Sequence, residues 1–159
     1  MNRAKEHFVA VIGAGECGPE VAAVAHALGR LLAEAGYTLV CGGLGGVMQA
    51  ASRGAREAGG RTIGILPGRE REAANEFVDT ALATGLGPMR NFLVVLNAEV
   101  VVAVEGSWGT LSELALAKKI GREVVAIGTW SNVPGVIPAD GPQAALAAVR
   151  RILSIEAMS

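Results

Sequence analysis

A chain of 159 residues, 51% hydrophobic and 18% charged, has room for one folded domain, 1–159, burying about two thirds of its unfolded surface. Fourteen Lys plus Arg against 15 Asp plus Glu leave a net charge of −1, which offers no electrostatic footprint for nucleic acid or an anionic membrane. No apolar run reaches the roughly 18 residues of a membrane helix, and Cys17, Cys41, His7 and His26 fall outside any zinc-ligand spacing, so the expectation is a cytoplasmic protein with reduced thiols.

The charged start MNRAKEH runs into the apolar FVAVIG (8–13). Glu16 follows and no small-residue cleavage site is evident, so the stretch reads as a first strand rather than a secretion signal. Gly18-Pro19 opens a helix with proline at its first position. Val21, Val24, Ala25, Leu28, Leu31 and Leu32 form its apolar stripe, and Gly36 ends it. TLVC (38–41) is the second strand, and GGLGG leads into a helix from about Val47 to Ala58 that stops at Gly59-Gly60. TIGIL (62–66) is the third strand, closed by Pro67-Gly68. A shorter strand is expected near Phe77 to Ala81, ahead of the loop TGLG (84–87). Pro88 starts a helix with Met89, Phe92, Leu93 and Leu96 on one face. VVVAVE (100–105) is apolar until its last residue, as a strand covered on both faces should be. A helix over 110–120, the strand EVVAIG (123–128), an irregular segment 129–141 with a short strand, and a last helix from about Pro142 to Leu153 complete the chain.

Alternating strands and helices with short connections predict an α/β fold: a single doubly wound parallel sheet, Rossmann-like, with helices on both faces. Ligands of such folds sit beyond the carboxyl ends of the strands, where strand order reverses. Glycine-rich loops after the first, second and VVVAVE strands fall on that edge. Gly13, Gly15 and Gly18 spell GxGxxG, but the acidic residue that would hold the ribose hydroxyls is missing, because the second strand ends at Cys41. That argues against NAD or FAD. The first loop instead reads as the lining of a pocket for another phosphate-bearing ligand, with Gly13 and Gly15 as contacts. Gly42, Gly43, Gly45 and Gly46 crowd four glycines into five residues. Close approach of a ligand or of the facing loop explains them better than a plain turn. In EGSWGTLSE (105–113), glycines precede a helix start whose free N–H groups and dipole favour an anion. Arg90 lies in the first turn of its helix, where the dipole disfavours a cation, and is therefore a candidate partner for an anion. Thr110 and Glu113 have the spacing of a capping box, so spacing alone makes Glu113 a cap before a catalyst. Cys17, His26, Arg69 and Arg71 read as ordinary surface or helix-edge residues.

From about Phe8 to Ile127 the chain resembles the Lonely Guy family of cytokinin-activating phosphoribohydrolases, long mislabelled as lysine decarboxylases. It is closer still to the short bacterial branch that includes molybdenum cofactor carrier proteins. The family's PGGxGTxxE loop is similar to Glu105-Gly106-Ser107-Trp108-Gly109-Thr110-Leu111-Ser112-Glu113. Its GGxxGxM segment is matched by Gly42-Gly43-Leu44-Gly45-Gly46-Val47-Met48, and its GxIP strand end by Gly64-Ile65-Leu66-Pro67. Arg90 stands fifteen residues before Glu105, as the family's catalytic arginine stands before its proline. The resemblance implies Arg90 and Glu113 as a catalytic pair. It implies ligand and phosphate contacts at Gly42, Gly43, Gly45, Met48, Gly106, Ser107, Trp108, Gly109 and Thr110, and assembly as a homodimer or higher homo-oligomer.

This chain departs from the family pattern in three places. Glu105 replaces the proline and sets a carboxylate beside the proposed anion pocket, where it repels phosphate unless paired or turned away. Ser107 replaces a glycine and Asn91 stands where the hydrolases carry lysine, while Trp108, at a position variable in the family, is available to stack on a base, to meet a partner subunit or to cover the loop as a hydrophobic lid. Two functions therefore stay open. One is hydrolysis of the N-glycosidic bond of nucleoside 5′-monophosphates, which requires no cofactor. The other is non-enzymatic carriage of the molybdenum cofactor, held by its phosphate. Both make a small phosphorylated ligand the partner, and neither involves nucleic acid or membrane.

Overall fold

The apolar runs become the centre of one parallel sheet in the computed structural model, which describes residues 4–159. Its strands are β1 (Phe8–Gly13), β2 (Thr38–Cys41), β3 (Thr62–Leu66), β4 (Thr80–Ala83), β5 (Val100–Val104), β6 (Glu123–Ile127) and β7 (Ile137–Pro138). They lie in the order β4-β3-β2-β1-β5-β6-β7, every neighbouring pair parallel. Val9 is opposite Leu39 on one side and Val100 on the other, so β1 and β5 flank the point where strand order reverses. The helices are α1 (Pro19–Glu34), α2 (Val47–Glu57), α3 (Arg90–Leu96), α4 (Trp108–Lys119) and α5 (Pro142–Ala157).

Both faces of the sheet are covered, which is why its strands read as unbroken apolar runs. Val9, Val11, Val100, Val102 and Val104 face α1, α2 and α5. Ala10, Ile12, Val101 and Ala103 face the other way, towards α3 and α4. This is the doubly wound α/β architecture that the alternation of elements predicts.

Several element boundaries differ from expectation. The fourth strand begins at Thr80, not Phe77. Residues 75–79 are committed to other bonds: Asn75 N–H donates to Gly43 O at 2.9 Å, Phe77 N–H to Asn75 Oδ1 at 3.0 Å, and Asp79 N–H to Thr62 Oγ1 at 2.8 Å. Pairing with β3 starts only where Thr80 meets Ile63. Pro88 sits in a 3-10 turn, Gly87–Met89, and the α-helix proper begins at Arg90. The last helix continues past Leu153 to Ala157, since no breaker interrupts it. Among the described residues no helix is long and apolar enough to cross a membrane.

Candidate functional site

The β5–α4 turn is built by two consecutive residues with positive φ, Glu105 at 48° and Gly106 at 119°. Gly106 has no substitute there, because a Cβ would also run into the side chain of Thr110. α4 then starts at Trp108 with Ser107 as its N-cap, and no side chain caps it. The reciprocal Thr110–Glu113 cap anticipated from spacing is absent: the helix begins three residues earlier than that pattern requires, which carries Glu113 past the first turn. Thr110 (3% exposed) and Glu113 (8%) both point inward. The N–H groups of the first turn, left without intrahelical partners, remain available to an anion.

Glu113 is buried against α3. Loss of solvent pushes its carboxyl up to about 7, and the Arg90 guanidinium draws it partly back. Arg90 is itself 9% exposed. Its Nη1 donates to Gly42 O at 2.5 Å and to Ile65 O at 2.7 Å, so one guanidinium nitrogen ties the carboxyl ends of β2 and β3 together. Gly42 leaves the space for this, since a Cβ on it would overlap the guanidinium and press on the Met48 sulfur. Burial lowers the Arg90 pKa from its ordinary value, and the Glu113 charge opposes that shift. Nε of Arg90 is buried without an acceptor. Beside the pair, Cys41 Sγ accepts from Gly43 N–H at 3.3 Å and lies 3.5 Å from Ser52 Oγ. Burial pushes that thiol up, making it a packing group rather than a nucleophile.

The anticipated residues thus divide. Gly42, Met48 and Arg90 come together, with Glu113 close enough to exchange charge effects. Gly13 faces Val104 O and the Val47 side chain, and Gly43 abuts Gly64, so internal packing accounts for both. Gly15 and Gly45 line a cavity of about 840 Å³ between α1 and α2, together with Cys17, His26, Arg53 and Phe77. That cavity is the roomiest described, yet it lies on the sheet face opposite α3 and α4. The buried ionisable pair and the free N–H groups place the candidate site on the Arg90–Glu113 side. Ser107, Trp108 and Gly109 are exposed, Trp108 by 81%, so the indole stands out from the loop instead of covering it. Asn91 reaches Ser112 Oγ at 3.4 Å, a weak link between α3 and α4.

Glu105 does not face the anion loop's ligand side. Its carboxylate accepts from Thr129 N–H at 3.2 Å and from the Thr129 hydroxyl, and Trp130 Nε1 donates to its carbonyl at 3.1 Å. The carboxylate is hydrogen-bonded to Thr129 of the next loop rather than ion-paired. Nothing in the sequence singled out Thr129 or Trp130, because they lie 24 and 25 residues away and belong to no motif.

A model of the SLOG cluster4 family matches residues 6–151. The chain belongs to the SLOG cluster4 family. Among solved structures of similar proteins, the molybdenum cofactor binding protein of Rippkaea orientalis superposes with a TM-score of 0.90 at 36% identity, covering 95% of this chain and 99% of that one. The molybdenum cofactor carrier protein of Chlamydomonas reinhardtii superposes with 0.86 at 34% identity, covering 94% and 99%. A cytokinin riboside 5′-monophosphate phosphoribohydrolase of Mycobacterium marinum is 32% identical over 128 residues, 74% of this chain and 68% of that protein. This SLOG member therefore sits in the Lonely Guy-like superfamily alongside molybdenum cofactor carriers, as the motifs indicated.

Proposed function

We propose that this SLOG protein is a binder of a phosphate-bearing small ligand, and that the ligand is the molybdenum cofactor, carried without chemical change. The observation that carries this reading is the engagement of Arg90. Its Nη1 is taken up by the Gly42 and Ile65 carbonyls, so it braces the carboxyl ends of two strands more than it presents a free cation to a reacting sugar. The phosphate would rest on the first-turn N–H groups of α4, around Gly106, Ser107, Gly109 and Thr110. Among the described residues no group of three or more His, Cys, Asp or Glu could hold a metal ion, so the pterin and phosphate, not the molybdenum, would supply the contacts. Exposed Leu82, Leu86, Met89, Phe92 and Leu96 lie on β4 and around α3 and favour a second copy as the cover, giving a homo-oligomer in the cytoplasm.

Glu113 supports the second reading. A carboxyl held at about 7 suits proton transfer at neutral pH. In that reaction water attacks the anomeric carbon, the bond to the base breaks, and the base takes a proton by way of Glu113. Free base and ribose 5-phosphate leave. Anaerobic incubation with molybdenum cofactor, followed by gel filtration, tests the carrier reading: pterin and molybdenum should co-elute with the protein in near-stoichiometric amounts. Base released from a panel of nucleoside 5′-monophosphates by the parent, and not by Glu113→Ala, would overturn it in favour of hydrolysis.

A further inference from the structure

Glu105 is the one non-glycine residue with positive φ among the described residues, at 48°. A side chain at such a φ is strained, and it persists only when its surroundings hold it there. Here the hold is visible on three sides. Its N–H donates to Ile127 O at 3.1 Å, its carbonyl accepts from Trp130 Nε1 at 3.1 Å, and its carboxylate accepts from the backbone and hydroxyl of Thr129. The receiving side is shaped to match: Gly128, itself at φ 87°, has no Cβ where the Glu105 carboxylate lies. Glu105 also lines a cavity of about 190 Å³ with Glu20, Val21 and Val24 of α1, whereas Arg90 and Glu113 belong to α3 and α4 on the other face. The carboxylate thus turns away from the site while its backbone leads into it.

We propose that Glu105 is a positioning residue: hooked on Thr129 and Trp130, it fixes the left-handed turn that aims the N–H groups of residues 106–110 at the ligand's phosphate. The β6–α5 connection thereby becomes the brace of the anion loop. The proposal rests on the phosphate-binding reading of that loop, and it deepens that reading by naming what sets the loop's shape.

Three variants separate positioning from simple stability. Glu105→Gly removes the hook and the strain together, Glu105→Gln keeps an acceptor for Thr129, and Thr129→Val deletes the hydroxyl alone. AMP serves as the phosphate probe by calorimetry, and amide hydrogen exchange is followed on the protein without ligand. The expected result for Glu105→Gly is roughly tenfold weaker AMP binding and roughly tenfold faster exchange confined to residues 106–110, with a melting midpoint within a few degrees of the parent. Glu105→Gln should stay within about threefold of the parent in affinity, and Thr129→Val should fall between the two. Exchange at residues 106–110 that is unchanged in Glu105→Gly would overturn the proposal. Acceleration spread through β5 and β6 would overturn it too, because the residue would then be a general strut. If the parent binds neither AMP nor inorganic phosphate, the phosphate-binding reading of the loop fails, while the exchange measurement still decides for or against the hook.

Discussion

The β2–α2 and β5–α4 turns both lie at the carboxyl edge of the sheet, and both are rich in glycine, yet the chain uses them differently. In the first, the glycines are consumed inside the molecule: Gly42 makes way for Arg90, Gly45 closes on Gly15 O, and Gly46 closes on Ala14 O. In the second, only Gly106 is required by its own neighbours. Gly109 has open space where a Cβ would be, and a φ that any residue could adopt. A glycine in the first helical turn that neither packing nor conformation demands is kept at a cost of roughly 0.5–1 kcal/mol relative to alanine. The first turn is therefore packed from within, and the second leaves Gly109 open to solvent.

The widest test of that contrast is Gly42→Val. It should displace the Arg90 guanidinium, leave two buried carbonyls without donors, and cost roughly 3–5 kcal/mol, read as a lowered midpoint in urea unfolding. If the β2–α2 glycines were ligand contacts instead, stability would hardly change.

Glu113→Gln comes next. Because the folded pKa is raised to about 7 from 4.5, the native state binds more protons than the unfolded chain between those values. The group's contribution is therefore fully present below about pH 4.5 and is lost as pH rises through about 7. The amide should stabilise the protein by on the order of 2–3 kcal/mol above pH 7 and flatten the pH 4.5–7 slope. Denaturant midpoints across pH report both effects.

A smaller stabilisation is expected from Gly109→Ala. It should raise stability by about 0.5–1 kcal/mol while weakening phosphate-ligand binding about tenfold, because the added methyl occupies the space of approach. Unchanged affinity would erase the distinction between the two turns. Asn91→Ala should be nearly silent, within about 0.5 kcal/mol in a thermal melt, since its bond to Ser112 is already long at 3.4 Å.

Much of this was readable from residue order. Val100 to Val104 announced a strand covered on both faces, and Gly18-Pro19 announced a helix start, because burial periodicity and proline geometry act within a few residues. The fourth strand was misplaced for the opposite reason. Phe77 and Val78 look extended, but Asn75 and Asp79 tie them to Gly43 and Thr62 across the fold. The capping-box reading of Thr110 and Glu113 fails in the same way: T-x-x-E spacing matches a cap, but the helix starts earlier, at Trp108, and both side chains are buried.

Residue order by itself determined the layers, the edge at which the loops gather and the superfamily, since each follows from local pattern or contiguous motif. Tertiary structure alone decided which glycines are filled from within, where the Arg90 hydrogens go and how Glu105 is turned aside. Those outcomes depend on atoms brought together from residues 42, 65, 90, 105 and 129, and the energy of a buried charge is set by such neighbours rather than by its place in the chain.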